Sequence, residues 1–180
     1  YYLSKLVNNI KFIIVDLPET LMFSYIYLSD MFPEKNVKLF NYETSSLDDC
    51  DFLLIPNTDF YNYKENVDAT INICSFQEMS SNQVKSYVKK VYNLKSNYIY
   101  SLNRNLNKNN NLLTESVSAT ISNFYNINEL NLLNIPYTDV DVRNNTQSKK
   151  ILIKNLFKKM LMKTQEPQNY SYQHFFGKIN

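Results

Sequence analysis

Short apolar runs alternate with amphipathic ones along the first hundred residues. Lys11–Val15, KFIIV, is a continuous run of β-branched and aromatic side chains, the pattern of a strand buried on both faces, as in a parallel sheet. It ends at Asp16-Leu17-Pro18-Glu19, after which Leu21, Met22, Tyr25, Leu28 and Phe32 recur at helical spacing until Pro33. Asp16 can cap this helix, and Pro18 suits its first turn, where the missing N–H is no loss. Val37–Tyr42 and Phe52–Ile55 are further strand candidates, the second bounded by Asp48–Asp51 and by Pro56-Asn57-Thr58-Asp59. Ala69–Ser75 is a fourth. From about Ser80, Val84, Tyr87, Val88 and Val91 form an i, i+3, i+4, i+7 stripe with Lys85, Lys89 and Lys90 largely off it, predicting a helix over Asn82–Leu94. Tyr98–Leu102, YIYSL, is the fifth strand candidate.

This β-α-β alternation, with crossovers long enough for helices, predicts an α/β fold: a mostly parallel sheet covered by helices on both faces. A chain of 180 residues is expected to form a single domain over 1–180. Beyond the fifth strand the pattern weakens. Asn103–Asn111, NRNLNKNNN, reads as a polar surface loop, and Ser116–Ile135 stays open between helix and short strands. Lys149–Lys163 reads as a basic amphipathic helix packing on the sheet, and 164–180 as a poorly ordered tail or a cover for a site.

Composition narrows the partners. The formal charge is only +2, too small for a phosphate-binding surface, so nucleic acid is not expected. No apolar run reaches the ~18–20 residues of a membrane span. The chain opens Tyr1-Tyr2-Leu3-Ser4-Lys5, with neither an initiator Met nor a signal-peptide pattern, which suggests a fragment or processed segment. Cys50, Cys74 and His174 are the only residues of their types. They match neither zinc-ligand spacing nor a disulfide framework, so no metal is expected, and two buried reduced thiols of a cytoplasmic protein are.

In an open parallel sheet, ligands sit beyond the carboxyl ends of the strands. The candidates there are Asp16 and Glu19 after the first strand, Asn57, Thr58 and Asp59 after the third, Asn72 to Glu78 after the fourth, and Asn103 and Arg104 after the fifth. A carboxylate at the end of such a strand can accept hydrogen bonds from both ribose hydroxyls, a role open to Asp16 beside that of a plain helix cap.

VDLPETLMFSYIYLSDMFP (Val15–Pro33), INICSFQEMSSNQVKSYVKKVYNL (Ile71–Leu94) and YIYSLNRN (Tyr98–Asn105) together resemble the bacterial sugar O-methyltransferases. That family is a branch of the S-adenosylmethionine-dependent enzymes with a Rossmann-like sheet, and the resemblance spans about Lys11 to Arg104. It implies that Asp16 holds the cofactor ribose and that Pro56 to Thr58, Asn57 among them, approach the adenine edge. It further implies that Asn72, Ser75 and Glu78 line the rim where the sulfonium meets a sugar hydroxyl.

One feature departs from the family: a Gly-rich turn after the first strand is missing, and Gly177 is the only glycine. That strand and its loop are expected upstream of Tyr1, with Tyr1–Asn9 ending the helix that follows. In the family's strand order the absent strand lies between Lys11–Val15 and Ala69–Ser75. Its omission is expected to leave both with unpaired backbone, and residues 1–180 alone to bind cofactor weakly unless the gap closes, the chain dimerises or it is part of a longer one.

Sugar methylation needs alignment and a base. Glu78 is the first candidate, Asp59 the second and His174 the third, with Ser75 and Asn72 as orienting groups. The competing role for Glu78 is to organise the helix N-terminus with Ser80 or Ser81. Two other classes stay open: a non-catalytic Rossmann-like binding module, and another sugar-modifying enzyme such as a glycosyltransferase. For the latter, Asp139-Val140-Asp141 matches an Asp-x-Asp metal motif only by letters.

Overall fold

The computed structural model describes residues 2–7, 9–41, 46–129 and 172–179. The amphipathic segment 149–163 and Asp139–Asp141 lie outside them. Where one domain is expected from length, the chain divides into two compact units, Tyr1–Glu65 and Asn66–Asn180.

The first unit opens with the short helix α1 (Tyr2–Leu6), then β1 (Phe12–Asp16), α2 (Pro18–Met31), β2 (Val37–Leu39) and β3 (Phe52–Pro56). Its strands are all parallel, in the order β1-β3-β2, with Ile14 opposite Leu54 and Asp16 opposite Pro56. β3 is central, and its apolar run Phe52–Ile55 is accordingly buried throughout. β1, expected to be covered on both faces, is only half-buried because it is the outer strand.

Leu21 and Leu28 of α2, two turns apart, pack with Phe32 onto Phe52 and Leu54. Phe12 and Phe32 flank the Phe52 ring at 5.2 and 5.5 Å. The helix starts at Leu17 in extended conformation without a side-chain cap, and Pro18 supplies the preset φ of the first turn. Asp16 is therefore not the cap: its Oδ1 accepts from the Leu17 N–H at 2.7 Å, ahead of the helix.

The second unit contains β4 (Ala69–Ile73), α3 (Ser81–Asn93), β5 (Tyr98–Arg104), α4 (Val117–Ser122), β6 (Tyr125–Glu129) and β7 (Tyr172–Ile179). The stretch from Ser116 thus resolves into a helix and a strand as far as Glu129. The sheet order is β4-β5-β7-β6; β4 and β5 are parallel, and β7 runs antiparallel to both β5 and β6. Where 164–180 is expected as a poorly ordered tail or a cover for a site, its described residues 172–179 form β7, an inner strand. It exchanges backbone hydrogen bonds on both sides, and its alternating side chains serve two faces.

Val84 and Val88 of α3 and Val117 and Ile121 of α4 pack with Phe76, Ile99, Leu113 and Tyr125 into one core. Among the described residues, the two helices α3 and α4 therefore cover the same face of the sheet, rather than one face each. Gly177 sits inside that core, opposite Ile99 on one side and Ile127 on the other. A Cβ there would lie 2.7 Å from the Ile99 Cγ2 and 2.9 Å from the Tyr125 Cβ, so the position has no room for a side chain.

The opposite face carries Tyr98, Tyr100, Leu102 and Arg104 of β5 beside Phe176, His174 and Tyr172 of β7. Among the described residues no helix covers it. β1 and β4, the strands expected to flank an absent one, are each outermost in their own sheet, with one backbone edge unpaired among the described residues. Ile71 and Ile73 of β4 are correspondingly 57% and 55% exposed. No described helix is long and apolar enough to cross a membrane.

Candidate functional site

In the first unit the carboxyl end of β1 meets that of β3. Asp16 is exposed there, and the Asn57 N–H donates to the Asp16 carbonyl at 2.9 Å, so Asn57 and Thr58 follow at the neighbouring strand end. Asp59 is half-buried and opens a single 3-10 turn, Phe60–Asn62, without a side-chain cap bond. An apolar groove of about 390 Å³, lined by Pro18, Met22, Tyr25, Ile26 and Leu39, lies at the same end of α2.

The second unit brings the remaining candidates to the carboxyl ends of β4 and β5. After Ile73 the chain turns sharply at Cys74, whose φ of 59° is left-handed and whose N–H donates to the Leu102 carbonyl at 2.8 Å. Cys74 is exposed while Cys50 is buried, so the thiols are free but not both enclosed. β4 is the outer strand, which leaves the end of its run open to solvent. Burial pushes the Cys50 thiol pKa up.

The turn after Cys74 is held by amides. The Asn72 Oδ1 accepts from the Phe76 N–H at 3.1 Å and from the Asn103 Nδ2 at 3.0 Å. Asn103 also donates to the Ser101 Oγ at 2.8 Å, while its Oδ1 accepts from the Gln77 N–H at 3.3 Å. Ser75 leads into the 3-10 turn Phe76–Glu78, its side chain forming no cap bond and its carbonyl accepting from the Glu78 N–H.

Gln77 is the hub of this edge and is only 6% exposed. Its Oε1 accepts from the Arg104 N–H at 2.8 Å; its Nε2 donates to the Glu78 Oε1 and to the Tyr172 hydroxyl, each at 3.2 Å. Its carbonyl accepts from the Nδ2 atoms of Asn107 and Asn110. Every polar group of a buried amide is thereby engaged, which is what permits its burial.

Glu78 is exposed, and its Oε1 accepts from both Gln77 and Asn107. The capping role falls elsewhere. Ser80 and Gln83 form a reciprocal capping box on α3, with the Ser80 Oγ accepting from the Gln83 N–H and the Gln83 Oε1 from the Ser80 N–H.

His174, the third base candidate, is buried on the face of the sheet opposite α3 and α4, where its Nδ1 lies 2.6 Å from the Tyr100 hydroxyl. Burial raises the pKa of that hydroxyl. Asn107, Asn110 and Tyr172 are missed by sequence reasoning, and Gln77, inside the Asn72 to Glu78 stretch of candidates, is given no role of its own by it. Gln77 carries a readable signal, a polar residue between Phe76 and Glu78 at a strand's end. Asn107 and Asn110 are hidden in an Asn-rich run that reads as loop. Asn107 is in fact 8% exposed and part of the network.

Among the described residues no cluster of three His, Cys, Asp or Glu could hold a metal ion. No protein-family model matches the sequence, and no curated protein matches it.

Proposed function

We propose that the protein is an S-adenosylmethionine-dependent O-methyltransferase of Rossmann-like fold, acting on a sugar hydroxyl in the cytoplasm. The observation that carries the reading is the anchored Glu78 carboxylate. It stands at the carboxyl end of a parallel strand pair, and its Oε1 is fixed by two amide donors. Among the described residues nothing is bonded to its Oε2. A carboxylate fixed by one oxygen and open at the other is placed to accept a proton at a defined position.

S-adenosylmethionine, when bound, supplies an electrophilic methyl group on sulfur. The chain's own residues then have three tasks. Asp16 accepts the hydrogen bonds of the ribose hydroxyls in the first unit, with Asn57 and Thr58 beside the base. Asn72 and Ser75 orient groups at the second unit's rim; the Asn72 Oδ1 is already engaged twice, so only its Nδ2 is left for a ligand. Glu78 of the second unit would take the acceptor hydroxyl's proton at Oε2, and Asp59 of the first unit is the alternative candidate for that base.

Steady-state kinetics on Glu78→Gln test the assignment. The expected result is a fall in kcat with cofactor binding unchanged, whereas a loss of thermal stability alone would make Glu78 structural.

A further inference from the structure

We infer that Arg104 and Tyr172, set by Gln77 at the carboxyl end of β5, form a subsite for an oxyanion, the phosphoryl or carboxylate group of an acidic or activated acceptor. Arg104 and Tyr172 are opposite each other on the face of the sheet that α3 and α4 leave uncovered. The guanidinium lies over the Tyr172 ring, 5.0 Å from its centroid, which orients the planar fork and covers one side of it.

One side chain sets both partners. The Gln77 Oε1 accepts from the Arg104 backbone N–H, and its Nε2 donates to the Tyr172 hydroxyl. Because that hydroxyl oxygen accepts, its own proton remains to be given to a ligand.

The half-buried guanidinium lacks a counter-charge. Among the described residues it has no ion-pair partner, and its Nε is enclosed without an acceptor. Enclosing a cationic donor in this way is costly unless an anion completes it. A second donor of the same face is in the same state. If the Tyr100 hydroxyl donates to the His174 Nδ1, one polar hydrogen is left over; the reverse arrangement strands two groups. The first satisfies more groups and assigns the proton to the His174 Nε2, which is buried with no acceptor.

His174 is diagonal to Arg104 across the β5–β7 pair, where such neighbours lie about 7–8 Å apart and their Cβ atoms somewhat closer. A neutral hydroxyl offers these donors a weak acceptor, while a phosphoryl or carboxylate oxygen offers the charge-assisted bonds for which a planar guanidinium is suited. The assignment deepens the methyl-transfer reading only by naming the acceptor's chemistry, for anion binding is measured without any methyl transfer.

His174 is the single histidine, so its ring C–H resonances form one resolvable NMR reporter beside the subsite. Inorganic phosphate and acetate are titrated separately into the full chain at constant ionic strength, with chloride as the control. The expected result is a saturable shift of the His174 signal with phosphate, acetate or both, identifying the group as phosphoryl, carboxylate or either. Arg104→Gln is expected to weaken the response about tenfold or more. Tyr172→Phe, which keeps the ring beneath the guanidinium and removes only the hydroxyl, is expected to weaken it severalfold with the remaining spectrum unchanged. Linear, chloride-like responses, or responses identical in wild type and both variants, would overturn the subsite.

Discussion

The Asn103 Nδ2 meets the Asn72 Oδ1 at 3.0 Å across the β4–β5 pair, and this amide bridge holds the turn that presents Glu78. The same Asn72 oxygen accepts from the Phe76 N–H, and the Asn103 oxygen accepts from the Gln77 N–H, so the two amides hold the first two N–H groups of the 3-10 turn. Asn72→Ala and Asn103→Ala each leave donors or acceptors unpaired at a partly or fully buried edge and are expected to cost about 1–3 kcal/mol. In a urea double-mutant cycle the two losses should fall short of additivity by at least ~0.5 kcal/mol, since each single change already breaks the shared bridge. Full additivity would mean that the bridge contributes nothing.

Glu78 and Ser80 separate by what each supports. Ser80→Ala removes one side of the capping box and should lower stability by about 1 kcal/mol. Glu78→Gln, at an exposed position outside the box, should stay within about 0.5 kcal/mol of wild type. Thermal melts of the two variants check this directly, and the opposite ranking would return Glu78 to the role of a helix-organising residue.

Five strands and two helices of this chain are legible in its residues, because uninterrupted β-branched runs and a valine stripe admit few other arrangements. β1, β3 and β5 fall within two residues of their apolar runs at each end. Two kinds of feature escape. β7 depends on partners about 70 residues earlier in β5 and about 50 earlier in β6, and nothing local marks the Tyr172–Ile179 segment as an inner strand. Its one clear mark, Gly177, explains itself only once Ile99 and Tyr125 are seen crowding the position.

The site is legible by place but not by role. The carboxyl end of β4 is where polar residues gather, yet the Ser80-x-x-Gln83 box obeys the capping rule beside Glu78, the more conspicuous acid. Asn107 is indistinguishable by type from the asparagines around it. Only its reach to Gln77 and Glu78 sets it apart.

Gly177→Ala is expected to destabilise the second unit by about 1–3 kcal/mol, because its Cβ would press on the Ile99 and Tyr125 side chains in a filled core. Gly177→Val should prevent cooperative folding of that unit. Chemical denaturation followed by tyrosine fluorescence measures both. A neutral Gly177→Ala would show that β5 and β6 relax around the strand.

Stability should fall in alkaline solution. Burial holds the Tyr125 hydroxyl up to about 12, against an ordinary value of 10. A group raised in the folded state contributes stability that is whole below pH 10 and is lost as pH climbs toward 12, because only the unfolded chain releases the proton in that window. The loss from this one group is roughly 2–3 kcal/mol, and Tyr63, Tyr100 and Cys50 shift in the same direction. Urea midpoints measured from pH 8 to 12 should decline from about pH 10, and Tyr125→Phe should flatten part of the decline.

The most direct test of the account is calorimetric titration of S-adenosylmethionine into the full-length gene product and its Asp16→Ala and Glu78→Gln variants. Saturable binding of equal strength is predicted for wild type and Glu78→Gln, with a loss of about tenfold or more for Asp16→Ala. Absence of binding in the wild type, or binding untouched by Asp16→Ala, would contradict the assignment of this chain to methyl transfer.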